Sequence, residues 1–290
     1  MSWLTDHALG TRYGSPMRLL IPLFLSILPV FGGSEKEPLK GVDVTLISEN
    51  ATIAAGGIFS VALRIHHHPG FHTYWKNPGV AGVPTQIAWT LPDGFSAGEI
   101  QWPFPEKTLM AIHPVHGYER DVMLVVDIKA PEKIQTSSVR IQASASWMAC
   151  ADGCYPGKTA LELTLPVAAD ATKSAAVVEQ FTQARNEIPQ PLETWSAELI
   201  SAVDAPEIRL RLKPESSGGA PPPGDVYFFS SDGQISSDQP QRVEIAPDGA
   251  FQIIASRSPY GPKGKKSLPG VLLSAAPLRK DGARFARLEP

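Results

Sequence analysis

Two cysteines, Cys150 and Cys154, sit in "WMACADGCYPG" with three residues between them, and the 290-residue chain has no others. Such a pair offers three kinds of chemistry: a structural staple, part of a metal site, or a reversible dithiol/disulfide couple. The spacing differs from the C-x-x-C of thioredoxins, and two ligands fall short of the four a structural zinc takes. No further ligands lie nearby in sequence. A staple gains little here, because closing so short a loop removes little entropy from the unfolded chain. The residues therefore favour a redox pair.

The flanking segments must position the sulfurs. Before Cys150, Val139, Ile141, Ala143, Ala145 and Trp147 are apolar and alternate with Arg140, Gln142, Ser144 and Ser146; after Cys154, Leu161, Leu163 and Leu165 alternate with Glu162 and Thr164. A period of two is the strand signal. A hairpin closed by Ala151-Asp152-Gly153 would place Gly153 at the left-handed third loop position, which glycine tolerates. That register pairs Val139 with Leu165, Ile141 with Leu163 and Ala143 with Leu161 on a buried face. Cys150 then faces Cys154 on the outer side. Facing Cα atoms lie about 4.5–5.5 Å apart, within a disulfide's reach, so the register permits the bond. Pro156-Gly157 and an alternating strand follow, so no helix N-terminus lowers a thiol pKa, and Asp152 disfavours a thiolate. The pair is expected to exchange electrons inside a docked complex, as a relay.

Around this hairpin the signals are those of an all-β protein. "VDVTLIS", "IFSVALRIH", "TQIAWTL", "DVMLVVDIKAP", "SVRIQASASWMAC" and "TALELTLPV" are separated by turn residues. Strands at that spacing without intervening helices predict an antiparallel sandwich over 38–168. Residues 169–190 contain one modest helical stripe through Ala176, Val177, Phe181 and Ala184, ended by Pro189, and read as a linker helix. Short strands resume from Trp195, predicting a second, smaller sandwich-like β domain over 191–290, with limited proteolysis expected near Pro189 or in Pro214–Asp225. Trp89 and Trp147 are expected in the first core, whereas Trp102 is core or partner-facing. At the other end, Arg12 and Arg18 precede the apolar run Leu19–Phe31 and then small residues. This predicts an export signal over 1–33, with Met17 an alternative start. Thirteen apolar residues broken by Pro22 and Pro29 fall short of the ~20 that span a bilayer, so no stable membrane insertion is expected. A net charge of −3 gives no electrostatic case for nucleic acid.

The cysteine segment, "AIHPVHGYERDVMLVVDI" and "FHTYWKNPGVAGVPTQIAWTLPDGFSAGEIQWPFPEK" together resemble the periplasmic N-terminal domain of the thiol:disulfide interchange protein DsbD. The likeness is greatest to the suppressor-of-copper-sensitivity, ScsB-like branch, and it spans about Val42–Val167. It implies an immunoglobulin-like sandwich in which Cys150 and Cys154 are the redox pair. It also implies a periplasmic location and an electron donor that is a thioredoxin-like domain or a membrane-embedded DsbD-type reductase, a separate protein from this chain. Electrons would pass on to oxidised periplasmic thiol proteins. By position, the loop that shields the sulfurs in that family falls on His113, Pro114, Val115, His116 and Gly117. No cofactor or metal is implied. The run His66-His67-His68 projects alternately from a strand, so at most two of these side chains share a face. It reads as a polar strand end, with copper handling as an alternative, while His72-Thr73-Tyr74-Trp75 is expected to pack near the active hairpin. A non-catalytic binding module with a permanent disulfide is a further alternative.

Overall fold

The alternating segments do form strands. A computed structural model describes residues 40–193, 195–215, 225–247 and 249–290; the expected export signal and residues 216–224 lie outside the described residues. In chain order the first part carries β1 (Val42–Ser48), β2 (Asn50–Thr52), β3 (Ile58–His67), β4 (Thr73–Gly79), β5 (Gln86–Thr90), β6 (Ser96–Ala97), β7 (Glu106–Met110), β8 (His113–Tyr118), β9 (Val122–Lys129), β10 (Ser138–Cys150), β11 (Cys154–Pro166) and β12 (Thr172–Lys173). The helix α1 (Val178–Asn186) leads to β13 (Trp195–Leu199), β14 (Glu207–Pro214), β15 (Val226–Ser230), β16 (Arg242–Ile245), β17 (Phe251–Ser256), β18 (Gly270–Ser274) and β19 (Phe285–Leu288). The fold is thus mostly β, built from several antiparallel sheets.

Two sheets of the first part, ordered β1-β3-β9-β6 and β11-β10-β5, share a core. Phe59, Val61, Val126 and Ile128 of the one meet Val139, Ile141, Ala143 and Leu165 of the other. Each Val, Leu, Ile or Phe among them contributes about 1.5–3 kcal/mol by leaving water, which is why the alternation fixes which strand face turns inward. A third sheet, β4-β8-β7, lies beside them. In the second part, β13-β14-β17-β16 and β15-β18-β19 enclose their own cluster, including Leu210, Leu212, Phe228, Phe251 and Leu272. Another cluster is common to both parts: Trp75, Tyr118 and Trp147 pack with Phe229 and Val271, with Trp102 half-buried against them. The described residues accordingly form one compact unit.

The segment read as a linker helix is shorter than expected and is docked. Thr172 and Lys173 instead pair with β2. On α1, Phe181 and Ala184 are buried against Ala62 and Val125, on the side of β3 and β9 turned away from the first core. Arg185 reaches back to Glu49 with two hydrogen bonds of 2.8 and 2.6 Å.

Residues 113–117, expected as a loop, begin strand β8, which is flanked by β4 and β7 on its two sides. Pro114 and Gly117 disguise it. Gly117 is required because β4 comes so close that an added Cβ would lie 2.1 Å from the Thr73 carbonyl oxygen. Gly117→Ala should therefore cost about 2 kcal/mol by overpacking, read as a lower denaturant midpoint with unchanged slope.

Candidate functional site around the Cys150–Cys154 disulfide

The long hairpin has the register its alternation dictates. Val139 faces Leu165, Ile141 faces Leu163, Ala143 faces Leu161, and the ladder ends with Cys150 opposite Cys154. The two sulfurs are joined in a disulfide, with Cα atoms 4.2 Å apart. Further down the ladder Trp147 lies over Gly157, where an added Cβ would fall 2.3 Å from the indole ring, so this cross-strand pair needs a residue without a side chain. The turn differs from expectation. Gly153 does not take the left-handed conformation; the Ala151 N–H instead donates to the Gly153 carbonyl across the tip.

The two sulfurs are not equivalent. Cys154 is exposed, whereas Cys150 is 1% exposed. The outer side of the hairpin, where both cysteines were expected beneath a shielding loop at 113–117, is covered at Cys150 by the third sheet and its loops. Tyr74 and Val115 pack with Cys150 in one buried cluster, with Ala81, Met110 and Met148 at its margin. Backbone pairing fixes this contact: the His72 N–H donates to the Cys150 carbonyl at 2.9 Å, and the Cys150 N–H returns the bond at 3.0 Å. From that anchor the fully buried Tyr74 directs its hydroxyl at Cys150 Sγ, 3.0 Å away. His72 Nε2 stands 3.3 Å from the same hydroxyl oxygen. The hydroxyl thus stands between the sulfur and the imidazole, and which of its two contacts it donates to depends on the His72 tautomer. Burial keeps His72 neutral by pushing its pKa down, and burial also raises that of Tyr74. Gly82 is at φ +101°, and its Cβ would fall 2.2 Å from the Tyr74 ring, so the loop after β4 lies flat on this tyrosine.

The five residues expected to shield the pair have divided roles. Val115 joins the cluster around Cys150, while His113 is exposed at the turn between β7 and β8. His116 points the other way, into the shared aromatic contact with Trp75, Tyr227 and Phe229, where burial lowers its pKa to about 4. Gly117 lies against Thr73, and Pro114 contributes its carbonyl to a contact with Ser237. Met110 and Ala81 were not evident from sequence, because nothing in their local pattern distinguishes them from loop residues.

The histidine run alternates as expected. His67 is buried and bonded to Thr73 Oγ1 at 2.9 Å, with a pKa lowered by burial to about 4. His66 and His68 face outward and meet Asp121 and Asp43 at 2.7 and 3.2 Å.

Comparison with known proteins gives a family match and a structural likeness. Residues 43–166 match the model of the family described as "Thiol:disulfide interchange protein DsbD, N-terminal". No functionally curated protein matches the sequence. The fold is similar to the N-terminal periplasmic domain of ScsB from Proteus mirabilis, with TM-score 0.60 and 16% identity, covering 88% of this chain and 95% of that one. A likeness to the sporulation control protein Spo0M from Bacillus subtilis, at TM-score 0.25 and 8% identity, is too low to indicate a shared fold. The match to the DsbD N-terminal family model thus contains the whole covered hairpin, Ser138–Pro166.

Proposed function

We propose that this chain is a periplasmic thiol–disulfide exchange relay working through Cys150 and Cys154. The observation that carries this reading is the asymmetry of the disulfide: one sulfur is exposed, and the other is buried beneath a hydroxyl donor. A permanent staple needs neither feature. In the forward step a donor thiolate attacks Cys154 Sγ, the S–S bond breaks, and Cys150 leaves as a thiolate that accepts the Tyr74 hydroxyl bond. The donor's second thiolate then attacks its own sulfur in the mixed disulfide. This releases Cys154 and leaves the donor oxidised and this pair reduced, with two protons taken up. The reverse sequence passes the electron pair to an oxidised client protein. The donor is a thioredoxin-like domain or a membrane-embedded DsbD-type reductase, and the clients are oxidised periplasmic thiol proteins. Among the described residues, no helix is long and apolar enough to cross a membrane.

The sheets that share the first core form an immunoglobulin-like sandwich in this reading. Val115 and the rest of His113–Gly117 belong to the cover over the sulfurs. The segment from Trp195 onward, which has a core of its own, is a second domain.

Intact-mass measurement tests the relay. Incubation with a reduced thioredoxin-like domain should convert the oxidised protein to its dithiol form. A pair that stays oxidised at potentials where redox disulfides are reduced, with reduction only below the roughly −300 mV typical of structural bonds, would show a staple.

A further inference from the structure

The cover over Cys150 has two walls, and both are tied to one residue of the second part of the chain. The first wall is the loop following β4, which carries Ala81 and lies on Tyr74. The second is the start of β8, which carries Val115. Ser237, 5% exposed, bridges them. Its Oγ accepts a hydrogen bond from the Val80 N–H at 2.9 Å and donates to the Pro114 carbonyl at 2.8 Å. The approach is close enough that Gly79, at φ +90°, has no room for a Cβ, which would fall 2.2 Å from Ser237 Oγ. Asn77 adds a second tie, donating to the Ser230 carbonyl at 2.6 Å while its Oδ1 accepts from the Gly79 N–H at 3.2 Å.

Ser237 is itself rigidly held. Ile235 is embedded in the core of the second part, and the Ser236 N–H donates to the Ser256 carbonyl at 3.0 Å. The fully buried Gln234 bonds Asp232 and the Ser267 carbonyl. Motion of either wall away from Cys150 must break a bond to a residue anchored in another core. The two walls are also coupled, because one hydroxyl serves both.

We propose that the second part of the chain, through Ser237, holds the cover closed over Cys150 and so confines exchange to Cys154. Ser237 is a positioning residue in this view, touching neither sulfur. The inference draws on the relay reading only for its purpose, since access to Cys150 can be measured without any exchange partner.

The test uses the full chain with one cysteine at a time. In a Cys154→Ser background, alkylation of the Cys150 thiol by iodoacetamide should be slow, and adding Ser237→Ala should speed it about tenfold through the loss of both bonds. In a Cys150→Ser background, the same change should alter alkylation of Cys154 by less than about twofold, as local opening leaves the rest of the fold in place. Asn77→Ala should shift Cys150 in the same direction as Ser237→Ala, which guards against a defect peculiar to one variant. Cys150 reactivity unchanged or slowed in both variants would overturn the proposal. Equal acceleration of the two cysteines would overturn it too, because that is general loosening. Failure of the relay would appear instead as a disulfide resistant to a thioredoxin-like donor, with these alkylation rates unaffected.

Discussion

Cys150→Ser should still trap a thioredoxin-like partner as a stable mixed disulfide, whereas Cys154→Ser should trap about a hundredfold less. A nucleophile can approach Cys154 from solvent, but it reaches Cys150 only after Tyr74, Val115 and their neighbours move aside. A local opening of roughly 3 kcal/mol is a hundredfold penalty in accessible population. In the wild-type disulfide the leaving group favours the same sulfur. Attack at Cys154 expels Cys150 toward a hydroxyl already aimed at its sulfur at 3.0 Å, and hydrogen bonds to a charged acceptor are about twice as strong as neutral ones. Non-reducing electrophoresis checks the ratio, each variant being mixed with a single-cysteine thioredoxin-like domain carried as its thionitrobenzoate mixed disulfide, from which the variant's thiolate displaces thionitrobenzoate. Equal trapping by both would mean that the cover does not discriminate between the sulfurs. Tyr74→Phe should raise the Cys150 thiol pKa by about one unit relative to the Tyr74 protein, since the thiolate loses that hydroxyl donor. Ultraviolet titration of the thiolate in the Cys154→Ser background reads that shift.

Glu49→Gln should destabilise the protein by roughly 3 kcal/mol and remove one limb of its acid denaturation. Glu49 is 3% exposed, accepts both Arg185 bonds and meets Lys173 Nζ at 2.6 Å. Arg185 also donates to Ser60 Oγ at 3.0 Å, and Ser60 in turn donates to Asp127 at 2.6 Å. The Arg185 hydrogen bonds, aided by Lys173, outweigh burial and lower the Glu49 pKa from 4.5 to about 2. A carboxylate with a depressed folded pKa stabilises above its unfolded pKa, and that stabilisation disappears as pH falls through the folded value. The Glu49 contribution is therefore complete above about pH 4.5 and is lost toward pH 2. His67 and His116 act at higher pH. Both are buried with pKa lowered from 6.5 to about 4, so the unfolded chain takes up protons first, and stability falls between those values. Denaturant midpoints measured from pH 7 to pH 2 should show both limbs in the wild type. In Glu49→Gln the upper limb should remain while the lower one flattens.

The hairpin was legible because nine alternating residues, Val139–Trp147, and the alternating Leu161–Leu165 admit one register with the leucines inside. A one-residue slip would have put Ile141 and Leu163 in solvent. Its turn was read less well, since glycine permits a left-handed conformation without demanding it. The cover was hidden for a different reason. Tyr74 and Cys150 are 76 residues apart, and "HTYWKNPG" and "HPVHGY" contain the prolines and glycines that usually mark loops. Those glycines serve close backbone approach here. The docked helix was visible as a stripe through Phe181 and Ala184, but sequence gave no sign that Arg185 would find a buried carboxylate contributed by the start of β2's flank.

The ladder between β10 and β11 holds the cysteine Cα atoms together through backbone hydrogen bonds and packed side chains, independently of the S–S bond. Reduction therefore frees the sulfurs without releasing the chain that presents them. The two thiols remain at a high effective molarity toward each other, as for any pair of groups preorganised at contact distance. Two consequences follow for turnover. In the proposed relay, a mixed disulfide between Cys154 and a client would be resolved by Cys150 before a second molecule could intervene. The reduced pair also carries a strong tendency to re-close, which in the proposed relay would favour passing electrons to clients whose cysteines are held less firmly in register.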